Sequence, residues 1–105
     1  MSLLSTTEFT ATGTVLITST PAMLCSISLS SSGAGDSVVL EVHNAGATGD
    51  VAAGNLVFKT ACNFGTPGDA APISFNLDGA MFPKGICVKA TLGASGPIYL
   101  NVEYE

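Results

Sequence analysis

The chain has few charged groups, and almost none of them is basic. Of its 105 residues 10% are charged, three are lysine and none is arginine, so the formal net charge is −5 at pH 7. Proteins bind nucleic-acid phosphates through lysine and arginine, and anionic membrane surfaces attract the same residues. The composition therefore predicts no nucleic-acid partner and no membrane partner.

Side chains for acid–base chemistry are scarce too. The chain has no tryptophan, two tyrosines and one histidine, His43. A nucleophilic triad needs a base, and a glycosidase needs two carboxylates in a cleft. His43 is expected on a solvent-exposed strand face, two residues from Glu41, as an ordinary surface residue. The sequence thus predicts no catalytic residue, no cofactor and no enzyme.

The cysteines and acidic residues lack the spacing of metal ligands. Cys25, Cys62 and Cys87 are far apart in sequence, odd in number and without a CxxC pair. Such spacing matches neither a disulfide framework nor a zinc site, and the acids are too dispersed for a calcium loop. We expect reduced thiols and no metal site.

Long apolar runs are also missing. No stretch approaches the ~20 apolar residues that span a bilayer, and residues 1–12 lack the basic and apolar regions of a secretory signal. The sequence predicts synthesis in the cytoplasm.

An apolar residue at every second position is the strongest positive signal. Alternation of this kind predicts strands with one buried and one wet face. It occurs at residues 25–30, 36–43, 73–78, 86–92 and 98–104, with weaker candidates at 13–18, 55–61 and 80–82. Glycine, proline and asparagine separate these runs, and Asp78-Gly79 predicts a two-residue hairpin. We predict an all-β, antiparallel β-sandwich, jelly-roll-like, with seven or eight strands.

The pattern also predicts which residues are buried. Cys25 is expected to point inward and Cys87 outward. The predicted core consists of Leu40, Val42, Ile73, Phe75, Val88, Leu100 and Val102.

Two units are predicted: an N-terminal arm at 1–12 and a single sandwich domain at 13–105. We expect the arm to order on a neighbouring molecule or to pair at a sheet edge, and to be dispensable for folding. Long loops at 44–54 and 63–72 suggest further contacts, because long loops are often functional. The predicted interface residues are Leu3, Leu4, Phe9, Asp50, Val51, Phe64 and Pro67.

The C-terminal third has a recognisable pattern. It runs Gly-Ala-Met-Phe-Pro-Lys-Gly-Ile-Cys-Val-Lys-Ala-Thr-Leu from Gly79, then a small-residue turn, then a last strand ending in Val-Glu-Tyr. Upstream, a serine-rich strand precedes a Gly-Asp turn and Val-Val-Leu-Glu-Val. This pattern resembles small β-sandwich structural proteins of tailed bacteriophage virions.

The resemblance implies a head decoration or cement protein that acts by adhesion between subunits. Its expected partners are other virion proteins, such as the major capsid protein, and further copies of itself. Its expected location is the virion, after synthesis in the host cytoplasm. Three alternatives stay open: a phage tail or head–tail adaptor subunit, a lectin-like module for carbohydrates or cell surfaces, and a fimbrial adhesin.

Overall fold

The computed structural model describes residues 2–31, 36–64, 72–93 and 97–105, and over these residues the chain forms eight β-strands. Two short 3₁₀ turns, Thr48–Asp50 and Ala53–Asn55, lie between the fourth and fifth strands. The strands are β1 Leu3–Phe9, β2 Gly13–Thr18, β3 Ala22–Ser31, β4 Asp36–Asn44, β5 Leu56–Phe64, β6 Ile73–Phe82, β7 Ile86–Leu92 and β8 Ile98–Tyr104.

These strands form two four-stranded antiparallel sheets. Sheet A has the order β1-β8-β3-β6, and sheet B has the order β2-β7-β4-β5. The antiparallel pairs are nested along the chain: β1 with β8, β2 with β7, β3 with β6 and β4 with β5. An eight-stranded double sheet wound in this way is a jelly roll, so the predicted fold class is confirmed.

The core lies between the two sheets. Alternate residues of each strand point into it, and Leu40, Val42, Val88, Leu100 and Val102 are fully buried, as predicted. Ile73 and Phe75 are only partly buried, since β6 is an edge strand with a neighbour on one side. The ring of Phe75 packs edge-on against that of Phe58, with centroids 5.3 Å apart.

The N-terminal segment expected as an arm contributes a strand at the edge of sheet A. β1 pairs with β8 along its whole length, from Leu3 opposite Tyr104 to Phe9 opposite Ile98. Phe9 is buried in the core. The segment thus takes one of the two expected arrangements, pairing at a sheet edge. Its removal would uncover the core at Phe9 and free one edge of β8, whose other edge pairs with β3. These contacts argue against the expectation that the segment is dispensable for folding.

Asp78-Gly79 forms a bulge and not the predicted hairpin. Both residues have positive φ, 51° and 75°, as a tight turn would require. However, β6 continues along β3, with Asn76 opposite Ser26 and Ala80 opposite Leu24. Three residues of β6 therefore face Cys25 alone, and the predicted strand at 80–82 is the end of β6.

The same bulge changes the inward row of β3. Cys25 lies at the irregularity and is half-buried, whereas Leu24 and Ile27 on either side of it have no exposed surface. The predicted inward position of Cys25 is thus corrected, because the register shift moves the buried position to Leu24.

Candidate interaction surface

The outer face of sheet A, the side turned away from the core, carries short uncharged side chains. One row crosses all four strands as Thr6, Asn101, Ser28 and Ser74, each opposite the next. The Thr6 hydroxyl donates to Oδ1 of Asn101 at 2.8 Å. In the next row the Ser26 hydroxyl donates to Oε1 of Glu103 at 3.2 Å. These bonds hold the polar rows in place on a surface that no other part of the described chain covers.

Exposed apolar side chains border these rows at one end. Met23 and Met81 lie opposite each other on β3 and β6, next to the inward-facing Leu24 and Phe82, and so point outward. They are 36% and 62% exposed. Leu4, 72% exposed, lies on the far edge strand β1 in the row of Glu103 and Ser26. Adjacent exposed apolar side chains such as the two methionines are typical of contact surfaces.

A shallow groove of about 430 Å³ opens on this face beside the N-terminal strand. It offers hydroxyl, amide and carboxylate groups next to two leucines. The lining residues are Ser2, Leu3, Leu4, Ser26, Ser28, Asn101 and Glu103.

The two outer faces differ in charge. The charged side chains on the strands of sheet A, Glu8, Glu103 and Asp78, are all acidic. On the outer face of sheet B, Lys89 and Lys59 stand opposite Glu41 on its two sides. A partner of the outer face of sheet A would therefore be neutral or basic at the contact.

Sheet B is partly covered on its outer side, so the predicted exposure of His43 is wrong, whereas the outward position predicted for Cys87 is confirmed. Both residues point away from the core, opposite each other on β4 and β7, yet they are 2% and 0% exposed. Nδ1 of His43 lies 3.1 Å from the Ala52 carbonyl oxygen, and Nε2 lies 3.0 Å from Oε1 of Glu41. The connection 45–55 thus lies over this part of the sheet, and His43 is not the surface residue that alternation indicated.

The three cysteines are free thiols, of which Cys62 and Cys87 are buried and Cys25 is half-buried. Burial raises the pKa of the Cys87 thiol above the ordinary value of 9.0, and the Asp50 carboxylate raises it further. Desolvation, followed by Glu105 and Glu103, raises the pKa of Cys25. Both thiols therefore hold their protons at neutral pH and are poor nucleophiles.

The predicted interface residues do not all reach the surface. Leu3 and Leu4 are exposed on β1, Asp50 is exposed in the 3₁₀ turn, and Val51 beside it is half-buried. Phe9 and Phe64 are buried in the core and cannot contact a partner, so their assignment is corrected. Pro67 lies outside the described residues.

Sequence reasoning missed the serines of β3, Asn101 and the two methionines as parts of one surface. Alternation placed Ser26, Ser28 and Asn101 on wet faces, but it did not show that β3 and β8 are neighbours in one sheet. The outward position of the two methionines could not be predicted, because it depends on a bulge at a site where a hairpin was expected.

Within the described ranges, no three His, Cys, Asp or Glu side chains are grouped so that they could hold a metal ion. None of the described segments is a helix long and apolar enough to cross a membrane. The sequence matches no protein-family model and no curated protein.

Proposed function

We propose that this protein is a virion structural protein of a tailed phage, a capsid decoration or cement protein that acts by adhesion between subunits. The observation that carries the adhesive role is the open outer face of sheet A, uncharged over most of its rows and bordered by Leu4, Met23 and Met81. The resemblance of the C-terminal third supports the assignment to virions. Jelly rolls are common in viral capsids, which agrees with the proposal.

The size of this face suits such a role. The molecule measures 39 × 28 × 17 Å, so each broad face exceeds the ~800 Å² that one partner contributes to a standard interface. Few charges lie on it, so little hydration of ionic groups is lost on contact. Binding through it should depend weakly on salt, because few charges are involved.

Under this proposal the protein binds other virion proteins and catalyses no reaction. The outer face of sheet A would contact the major capsid protein or another virion protein, and further copies of the chain would take part in the assembly. Both nitrogens of His43 are engaged in hydrogen bonds, which leaves neither available as a general base. The protein would be made in the host cytoplasm, act in the virion and need no cofactor.

Mass spectrometry of purified virions of the source phage, followed by rebinding, tests this proposal. Thr6→Arg and Thr14→Arg are a matched pair, since both threonines are exposed on edge strands, one in each sheet. The chain should be a virion component, and the Thr6→Arg protein should fail to bind stripped particles that the Thr14→Arg protein still binds. Absence from the virion, or equal binding by both variants, would contradict the proposal. Separating heads from tails before analysis distinguishes decoration from a tail or adaptor role.

A lectin-like function is the second candidate, and the groove on sheet A favours it. Its volume lies in the usual range for small-ligand sites, about 300–1,000 Å³. Its serine hydroxyls, Asn101 and Glu103 could hydrogen-bond a sugar. Binding on a glycan array that is lost in Asn101→Ala would support this function over the first.

A further inference from the structure

His43 is a buried histidine whose two ring nitrogens both face oxygen acceptors. The Ala52 carbonyl oxygen, 3.1 Å from Nδ1, can only accept a hydrogen bond. Oε1 of Glu41, 3.0 Å from Nε2, accepts when the carboxyl group is ionised. Within the described residues no buried side-chain nitrogen or oxygen is left without a partner.

This arrangement requires an extra proton. A neutral imidazole carries one N–H, which satisfies one acceptor and leaves a lone pair facing the other. The second proton resides either on the imidazole or on the Glu41 carboxyl, and the His43–Glu41 pair holds the same number of protons in both cases. A carboxylate is a weaker base than an imidazole. Lys59 and Lys89 lie opposite Glu41 on the two neighbouring strands. The proton is therefore on His43.

The contact to Ala52 ties the 45–55 connection to sheet B. Ala52 lies between the two 3₁₀ turns, and the Asn55 side-chain amide donates to the Asp50 carbonyl at 2.8 Å, which keeps the turns together. Cys87 lies opposite His43 on the neighbouring strand, on the side of sheet B that faces this connection. Burial and then the Asp50 carboxylate raise the pKa of its thiol. Release of Ala52 would free the middle of this connection and uncover Cys87.

We infer that His43 is a proton-dependent clasp, which holds the 45–55 connection closed over Cys87 while the imidazole carries two protons. The titratable and charged groups around it are Glu41 on β4, Lys59 on β5, Lys89 and Cys87 on β7, and Asp50 in the first 3₁₀ turn. Closing takes up a proton, so the closed population falls as pH rises. This inference stands independently of the proposed function.

Imidazole ¹⁵N chemical shifts test the clasp directly, and the chain has one histidine, so the signals need no assignment. The titration covers about pH 5 to 9, which spans ordinary histidine protonation. Amide protection factors of residues 45–55 and the alkylation rate of Cys87, followed by peptide mass spectrometry, report the connection. In the unmodified chain, protection should fall over the same pH interval in which the imidazole loses its second proton.

Glu41→Gln is the decisive variant, because the glutamine amide can donate to Nε2 of a neutral imidazole while Nδ1–H still reaches Ala52. Its connection should stay closed across the titration. At the upper pH, Cys87 of the unmodified chain should be alkylated about tenfold faster than Cys87 of this variant, the factor expected for losing one charge-assisted hydrogen bond. Glu103→Gln, a half-buried glutamate on sheet A, should behave like the unmodified chain.

Three results would overturn the clasp: an imidazole neutral at every pH, protection unchanged when the second proton leaves, or the same pH dependence in Glu41→Gln. If the variant does not fold, the ¹⁵N shifts and protection factors of the unmodified chain still show whether protection of residues 45–55 follows the second proton of His43.

Discussion

At the scale of single residues, Gly85 shows how tightly one end of the sandwich is built. Its φ is +129°, in the region that favours glycine. A Cβ there would collide with the Thr18 carbonyl oxygen and lie 2.9 Å from that of Ala45. The Ala45 amide also donates to the Gly85 carbonyl oxygen at 3.2 Å, so the chain cannot easily move away.

Gly85→Ala should therefore lower the free energy of unfolding by at least about 2 kcal/mol, since both the backbone strain and the collisions oppose it. Urea denaturation measures the change. Gly49→Ala is the control, because no atom lies within 4 Å of its added Cβ. It should change stability by no more than about 0.5 kcal/mol. Equal effects of the two substitutions would show that the Thr18 and Ala45 backbones do not pack closely against Gly85.

The raised pKa of Cys87 predicts an alkaline effect on stability. The folded chain keeps this thiol protonated above 9.0, the ordinary value, whereas the unfolded chain releases the proton there. The thiol's contribution is present in full below that value and is lost as pH rises through the folded-state pKa. In Glu41→Gln, whose 45–55 connection is expected to stay closed at alkaline pH, denaturation on both sides of 9.0 should show a steeper alkaline loss than in the same chain carrying Cys87→Ala as well. Parallel curves would argue against a buried, protonated thiol.

Among the strands, β1 is the one whose contribution to the core the sequence did not predict. Only Phe9 of its inward-facing residues is large, apolar and buried, while Ser5 and Thr7 are half-buried. Phe9→Ala should cost about 3–5 kcal/mol, as for other buried aromatics. Leu4→Ala, on the outward side of the same strand, should cost about 0.5 kcal/mol or less. Thermal and urea unfolding measure both. If the two cost the same, β1 does not close the core.

Alternation was sufficient to predict the strands whose inward positions are consistently apolar, such as β4, β7 and β8. It could not identify β1, where two of the inward positions are Ser5 and Thr7. It also could not distinguish a hairpin from a bulge at Asp78-Gly79, because a tight hairpin turn and a bulge can both use residues with positive φ. Alternation also could not predict the burial of His43, since the residues that cover it come from another segment of the chain.

For the whole molecule, the proposed adhesion depends on which broad face is open. The nested pairing places the serines of β3 beside Asn101 of β8, although they are distant in sequence. The 45–55 connection covers part of sheet B, while the outer face of sheet A stays open with its methionines at one end. Composition alone indicated a surface suited to adhesion, but the choice of face required the strand order.

Oxidative footprinting of Met23 and Met81, compared between the isolated protein and the protein bound to virions, shows whether the outer face of sheet A is covered on the particle. Both methionines are accessible in the isolated chain. Leu16, 38% exposed on sheet B, is the internal reference. If the outer face of sheet A is the interface, oxidation of both methionines should fall to near zero on the particle while labelling of Leu16 persists. Unchanged methionine oxidation in the bound state, or protection of Leu16 instead, would contradict an interface on the outer face of sheet A.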